Sequence, residues 1–159
     1  MIVSIRIDER LIHGQVATMW TNHLKADRII VIDDQIVQDE MEKDVLKMAK
    51  PSSCKLSIST IKGASRRFNA GKYEDERIFI LVKSSAILVE LLENNVNLTE
   101  INVGNMSSKK GSKQITKSIN ITESDIENFE ELDRRHVKLF IQMTPNDEKK
   151  NLISLLKEN

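Results

Sequence analysis

The chain has 159 residues, 40% of them hydrophobic and 30% charged, and its 24 basic and 24 acidic side chains balance to a formal net charge of zero. This length favours one domain with a sizeable core. The charge balance argues against bulk attraction to nucleic acid or to a membrane surface, so any electrostatic function must be local. Cys54, the single cysteine, excludes an internal disulfide and a cysteine-rich zinc site. We expect it to be a small buried residue in a reducing compartment.

No basic segment followed by an apolar core opens the chain, and the longest apolar runs are too short to cross a bilayer. The sequence therefore predicts a cytoplasmic protein.

Apolar runs of strand length alternate with segments of helical period, which is typical of an α/β fold with a mostly parallel sheet. We predict an open seven-stranded sheet with helices on both faces, in a single domain over residues 1–159. The predicted strands cover residues 2–7, 28–32, 55–59, 77–82, 100–103, 118–121 and 137–142. The predicted helices cover residues 15–24, 36–49, 61–70, 85–94, 123–134 and 146–157.

Two helix starts carry capping signals. Thr122 and Asp125 have the spacing of a capping box, while Thr144 and Pro145 predict a cap and a proline in the first turn of the last helix.

The link between the first predicted strand and the first predicted helix contains His13. A neutral imidazole offers a nucleophilic nitrogen, and a phosphoryl group placed on it stays reactive enough to be passed on. Gly14 leaves room for close approach, and the amides near Gln15 open a helix whose dipole favours an anion. Arg10 would meet the phosphoryl charge. The alternative is a histidine that only caps or packs, but these neighbours favour a phosphate-handling loop.

The other charges of this loop have supporting roles in our interpretation. Asp8 or Glu9 could orient the imidazole or the loop. Arg6 lies within a strand that should be buried, and we expect it to pair with Asp8 or another acid instead of reaching the site. His23 and His136 lack comparable surroundings and are interpreted as surface or helix-end residues.

A second polar loop, residues 103–114, follows the fifth predicted strand and holds Gly104, Asn105, Gly111 and three lysines but no acid. Such a loop can bind an anion, although its composition also suits a solvated surface loop. Ligands of open parallel sheets sit beyond the carboxyl ends of the strands, and the His13 loop opens onto that same edge.

Asp33 and Asp34 end the second predicted strand and could belong to a receiver that is phosphorylated on aspartate. A receiver needs its acidic pair after the first strand and its phosphorylated aspartate after the third. Here the first strand leads to the histidine loop, so helix capping is the stronger interpretation of both acids.

One stretch resembles a known family. The run Arg6-Ile7-Asp8-Glu9-Arg10-Leu11-Ile12-His13-Gly14-Gln15-Val16 is similar to the signature of the IIB components of the mannose, fructose and sorbose family of the bacterial phosphoenolpyruvate-dependent sugar phosphotransferase system. The resemblance extends to residues 28–34, to Asn102, Val103 and Gly104 with Gly111, and to residues 137–145.

The resemblance implies a cytoplasmic phosphotransferase in which the residue matching His13 accepts a phosphoryl group on Nδ1 from the phosphohistidine of a IIA domain. It would pass the group to a sugar bound by the membrane components IIC and IID, with which the protein associates peripherally. The residue matching Arg10 would stabilise the phosphoryl group. No metal, soluble cofactor or nucleic acid is implied, and self-association stays open. A non-catalytic sensor that keeps the fold is a further alternative, against which His13 and Arg10 argue.

This chain departs from the family pattern at three positions. Relatives usually have an aspartate where Glu9 stands, often a glycine where Asn105 stands, and in some cases a basic residue where Gln142 stands. None of these changes removes the nucleophile. Trp20 and Met106 are candidates for contact with partner proteins, although either residue could equally belong to the core, and for Trp20 the core is the favoured interpretation.

Overall fold

The computed structural model describes residues 1–158, which contain nine strands and six α-helices. The strands are β1 (Ile2–Asp8), β2 (Arg28–Ile32), β3 (Lys55–Ser59), β4 (Ile78–Val82), β5 (Glu100–Asn105), β6 (Lys113–Thr116), β7 (Ile119–Ile121), β8 (Lys138–Ile141) and β9 (Lys150–Asn151). The helices are α1 (Gly14–Leu24), α2 (Glu40–Ala49), α3 (Ile61–Asn69), α4 (Ser85–Glu93), α5 (Glu123–Arg134) and α6 (Leu152–Glu158).

Seven strands form one sheet in the order β3-β2-β4-β1-β5-β8-β9. Every neighbouring pair is parallel except β8 and β9, which are antiparallel. Strand β1 lies in the middle, between β4 and β5. The predicted α/β fold with a mostly parallel seven-stranded sheet is confirmed.

The sheet separates two hydrophobic cores. One core contains Trp20 of α1 and Leu46 of α2, and the other, larger one contains Leu88 of α4 and Phe129 of α5. Strand β4 is buried along its whole length, because a central parallel strand is covered on both faces. Side chains alternate along β1, so Ile5 and Ile7 enter the larger core, which leaves the intervening Arg6 on the side of α1.

The prediction that residues 118–121 form the sixth strand of the main sheet is wrong. Its residues form β7, which pairs antiparallel with β6 in a separate two-stranded sheet. The seventh strand of the main sheet is β9, which consists of only two residues, both of them exposed. It completes the sheet by pairing with β8. Because its two residues are polar and exposed, they carry no hydrophobic pattern from which a strand could be predicted.

Two predicted helices need correction. The helix predicted at residues 36–49 is a short 3-10 helix (Ile36–Gln38) followed by α2, because Asp39 lies between them and its side chain caps α2 at the amide of Glu42. The helix predicted from residue 146 begins only at Leu152. Thr144 does not cap it; its amide and hydroxyl instead bond the Asp147 carboxylate in a turn.

Several local predictions are confirmed. The capping box of Thr122 and Asp125 is complete, with each side chain accepting from the other residue's amide. Cys54 is buried, and His23 and His136 are exposed. None of the helices within residues 1–158 combines the length and the apolar character needed to cross a membrane.

Candidate functional site

The His13 loop and the loop after β5 begin side by side at the carboxyl edge of the sheet. Asp8, the last residue of β1, pairs with Asn105, the last residue of β5. The Glu9 amide also donates to the Asn105 carbonyl oxygen at 3.2 Å. The prediction that both loops open onto one edge is therefore confirmed, and this is the edge at which ligands bind in open α/β sheets.

His13 is the N-cap residue of α1 and is exposed. Its backbone is extended, with φ −138° and ψ 113°, and its side chain makes no capping hydrogen bond to the helix. The next residue, Gly14, has φ +51°, and no atom lies within 4 Å of where its Cβ would be. Open space therefore adjoins the helix start, as predicted for Gly14, and Gln15 is exposed beside it.

Leu11 and Ile12 anchor the loop immediately before His13. Both side chains are buried in the core beneath α1. Leu11 has the left-handed backbone conformation, φ 56°, and its amide donates to the Asp8 carbonyl oxygen at 2.9 Å. A non-glycine residue in this conformation costs on the order of 1 kcal/mol, which the buried side chains offset. The loop therefore has a fixed base and an exposed histidine.

Asp8 connects two arginines of the loop. Its buried carboxylate accepts hydrogen bonds through Oδ1 from the Arg10 amide, at 3.0 Å, and from Arg10 Nε, at 3.3 Å. Its other oxygen, Oδ2, lies 3.5 Å from Arg6 Nε. The predicted pairing of Arg6 with Asp8 is confirmed. Arg10 remains exposed, so its position is fixed while its charge faces solvent.

Arg6 is buried with 1% of its surface exposed. Its Nη1 donates to the Gln142 carbonyl oxygen at 2.8 Å, and its Nη2 lies 3.7 Å from Met143 Sδ. The guanidinium carbon is 5.4 Å from the centre of the Trp20 ring, within the range of a cation–π contact. Burial lowers the pKa of Arg6, while the neighbouring Asp8 carboxylate opposes that shift.

Gly104 admits this buried arginine. A Cβ at position 104 would lie 2.1 Å from the guanidinium carbon of Arg6, which is far inside van der Waals contact. Gly104 is predicted from the sequence to belong to a phosphate loop, and its immediate neighbour in the structure is Arg6. Gly111 has φ +79° and open space around it, in an exposed part of the same loop.

Glu9 joins the two loops through its side chain. The carboxylate accepts from the Ser107 amide at 2.6 Å, from the Ser107 hydroxyl, and from Lys109 Nζ. Burial acts to raise the pKa of Glu9, but the hydrogen bonds from Lys109 and Ser107, together with the Lys109 charge, outweigh it and hold the pKa below its usual value. Glu9 is therefore a scaffold residue, as interpreted from the sequence.

Three residues near the site have structural partners. The Gln142 side-chain amide donates to the carbonyl oxygen of Asp147 at 2.8 Å, so it secures a turn. Trp20 Nε1 donates to the Met143 carbonyl oxygen at 2.9 Å, and Trp20 and Met106 are 5% and 2% exposed. Both are core residues, which confirms the favoured interpretation of Trp20 and, for Met106, decides between the two alternatives in favour of the core.

Asp33 and Asp34 cap helices, which confirms that interpretation. Asp33 Oδ1 accepts from the amides of Gln35 and Ile36, at the start of the 3-10 helix. Asp34 Oδ1 accepts from the amide of Ile61, the first residue of α3, at 2.8 Å.

The end of β8 contributes to this site in a way that the sequence does not predict. The carbonyl oxygens of Gln142 and Met143 tie Arg6 and Trp20 to the strand end beyond β5. Backbone acceptors carry no side-chain pattern, so only the buried arginine itself could have signalled that such partners exist.

Comparison with known proteins places the chain beside a set of transport phosphotransferases. Residues 2–159 match the family model described as the PTS system sorbose subfamily IIB component. The chain is 38% identical to the fructose-specific EIIB component of Bacillus subtilis (strain 168), over 98% of this chain and 96% of that protein. It is 33% identical to the mannose-specific EIIAB component of Escherichia coli (strain K12), over 98% of this chain and 49% of that longer protein. Among solved structures, the IIBSor domain of the sorbose permease from Klebsiella pneumoniae superimposes with a TM-score of 0.95 at 32% identity, over 99% of this chain and 97% of that one.

Proposed function

The chain belongs to the sorbose subfamily of IIB components of the sugar phosphotransferase system, and from this premise we propose that His13 is the residue that carries the phosphoryl group. IIB components of this family are subunits of sugar phosphotransferases and act as phosphocarriers. In this proposal the imidazole of His13 accepts and donates the phosphoryl group, and Arg10 stabilises the negative charge of that group.

The observation that carries the proposal is the exposure of His13 at the start of α1, on the carboxyl edge of the sheet. A phosphoryl group on this imidazole would lie near the N-terminal amides of a helix of 11 residues, whose dipole favours an anion. The open space at Gly14 leaves room for a phosphoryl group and for a partner protein. The guanidinium of Arg10, held by Asp8, supplies a full positive charge in the same loop.

The proposed chemistry has two displacements at phosphorus. In the first, the unprotonated Nδ1 of His13 attacks the phosphorus of a donor phosphohistidine; the new N–P bond forms as the donor N–P bond breaks, and the donor ring recovers its electron pair. In the second, a sugar hydroxyl oxygen attacks the same phosphorus, the His13 N–P bond breaks, and the hydroxyl proton is released. Positioning and charge neutralisation account for most of the catalysis in such transfers.

The donor in this proposal is the phosphohistidine of a IIA domain. The mannose-specific relative is an EIIAB component, and this chain covers 49% of it, which supports a IIA unit as the natural partner. The acceptor is a sugar bound by membrane components IIC and IID, so the protein would work at the cytoplasmic face of the membrane during sugar uptake.

Labelling the protein with phosphate tests the proposal directly. The protein is incubated with labelled phosphoenolpyruvate, the general phosphotransferase proteins and a cognate IIA. We expect label that is lost in acid and stable in base, as a phosphohistidine is, and we expect His13→Ala to acquire none. His23→Ala is the matched control because His23 is also exposed and lies on the same helix, and it should be labelled like the wild type.

Two outcomes contradict the proposal. An unlabelled wild type that still binds IIA would make the protein a non-catalytic member of the fold. Label retained in His13→Ala would place the phosphoryl group elsewhere; cleavage of that label by base or hydroxylamine would identify an acyl phosphate on an aspartate.

A further inference from the structure

Arg6 is the largest fully buried side chain of the described residues, and its charge needs a reason. Burying an arginine carries a desolvation cost, which a well-placed carboxylate and further hydrogen bonds offset. Here Asp8 supplies the carboxylate, and Gln142 supplies a carbonyl acceptor. Hydrophobic residues in place of a buried ion pair are often as stable or more so, so packing alone does not account for an arginine here.

The three side chains Arg6, Asp8 and Arg10 form one line of alternating charge. The Asp8 carboxylate offers one oxygen to the buried Arg6, at 3.5 Å, and the other to the exposed Arg10, at 3.3 Å. With Arg6 present, the three groups carry a net charge of +1, because one arginine already balances the aspartate. Without Arg6, Asp8 and Arg10 would cancel, and this group of side chains would lose its net positive charge.

Gly104 shows independently that the fold is built around this arginine. Its missing side chain makes the space that the guanidinium occupies, with Arg6 Cζ, Nη2 and Nε at 2.1, 2.2 and 2.5 Å from an ideal Cβ position. The neighbouring strand end at Gln142 and Met143 closes the far side. Arg6 is thus held by three strand ends, and it reaches the exposed loop only through Asp8.

We propose that Arg6 is a positioning residue for phosphoryl transfer: it neutralises Asp8, so that Asp8 can fix Arg10 in place while Arg10 keeps a full charge for the phosphoryl group. This inference rests on the proposed role of His13. It gives Gly104 a function in the same step, which is to admit the guanidinium of Arg6. Neither residue contacts the phosphoryl group.

The first test removes the charge. Arg6→Met should slow the single-turnover transfer of phosphoryl from IIA to His13 about tenfold at saturating IIA, because one unit charge is lost beside a partly exposed site. The matched control is Arg28→Met, which deletes another partly buried arginine, paired with Glu76 at the opposite edge of the sheet. The control should lose stability and transfer at the wild-type rate.

The second test separates charge from packing. Adding Asp8→Asn to Arg6→Met restores the net charge of +1 and keeps an oxygen that can accept from Arg10. The double variant should recover much of the lost rate. If Arg6 only fills space, the double variant will be no faster than Arg6→Met, and the positioning role is overturned.

The third test uses Gly104→Ala. This variant leaves every charge in place, and it can be measured even if Arg6→Met does not fold. The added methyl must push the guanidinium away from Asp8, so we expect the same slowing, together with a changed NMR signal for Arg10 Nε–H. A wild-type transfer rate in either folded variant, Gly104→Ala or Arg6→Met, would refute the positioning role and leave His13 as the carrier. A wild type that acquires no label on His13 would refute both.

Discussion

Glu9 fastens the His13 loop to the loop after β5 with one carboxylate. It accepts from Ser107 and from Lys109, so two segments far apart in the chain meet at the side chain that precedes the arginine of the site. The glutamate side chain is long enough to reach both partners across the gap. We therefore regard Glu9 as the origin of a specific link between the loops.

The link should loosen in acid. The pKa of Glu9 is held below its usual value in the folded protein, so its contribution to stability is present above about pH 4.3 and is lost as the pH falls through the lowered pKa. The hydrogen exchange of the Ser107 amide, followed by NMR from about pH 6 downwards, should show protection that fades in that range. In Glu9→Gln the fading should be absent; an identical pH profile in both proteins would contradict the assignment.

At the scale of single residues, the local pattern was enough to place His13 and Arg10 in one exposed loop and to pair Arg6 with an acid. It was not enough to explain Gly104. The reason for that glycine is a side chain on a neighbouring strand, and the contact exists only because β1 and β5 lie side by side. The core position of Met106 could not be decided from the sequence for a similar reason, since burial depends on what packs over a residue.

Capping residues in the sequence define where some of the helices begin. Thr122 is the clearest case, because its side chain accepts from the Asp125 amide while the Asp125 carboxylate accepts from the Thr122 amide. This reciprocal pair starts α5, the helix that brings Phe129 into the larger core.

Removing this cap should cost stability without touching the site. Thr122→Ala should lower the free energy of unfolding by about 1 kcal/mol, because an N-cap hydrogen bond is lost. Urea denaturation followed by circular dichroism measures the change. Ser124→Ala, an exposed change in the same first turn, is the control and should stay within about 0.5 kcal/mol of the wild type. Equal values for the two variants would show that the cap contributes nothing.

Hydrophobic pattern predicted the six longer strands of the main sheet because each carries apolar residues in a strand-length run or in alternation. It failed at β9, whose two residues are exposed and polar and whose place is set by pairing with β8. It also could not separate β7 from the main sheet, because an apolar run does not identify its partner strand. Hydrophobic pattern also placed the start of the last helix too early, because that helix begins only after the Thr144 turn and β9.

The whole molecule is organised as two cores that share one sheet. Trp20 packs in one core, and Phe129 packs in the other. Because every strand of the main sheet pairs with its neighbours, neither core can open without exposing the other side of the same strands. We expect the two cores to unfold together.

The single tryptophan makes this cooperativity measurable. Phe129→Ala should destabilise the protein by about 3–5 kcal/mol, because Phe129 is fully buried. The fluorescence of Trp20, on the opposite face, should report the same shift of the urea midpoint as circular dichroism does. Met48→Ala, at a side chain that is 86% exposed, should shift neither. A Trp20 transition that stays at the wild-type midpoint would show that the cores unfold separately.

The contact between Gly104 and Arg6 also constrains how the family can change over time. A side chain at position 104 would meet the guanidinium of Arg6, so a larger residue there carries a steric penalty that the loss of the arginine would relieve. Among relatives, we therefore expect the two positions to covary. A lineage that acquires a bulkier residue at 104 should have already lost its arginine at 6.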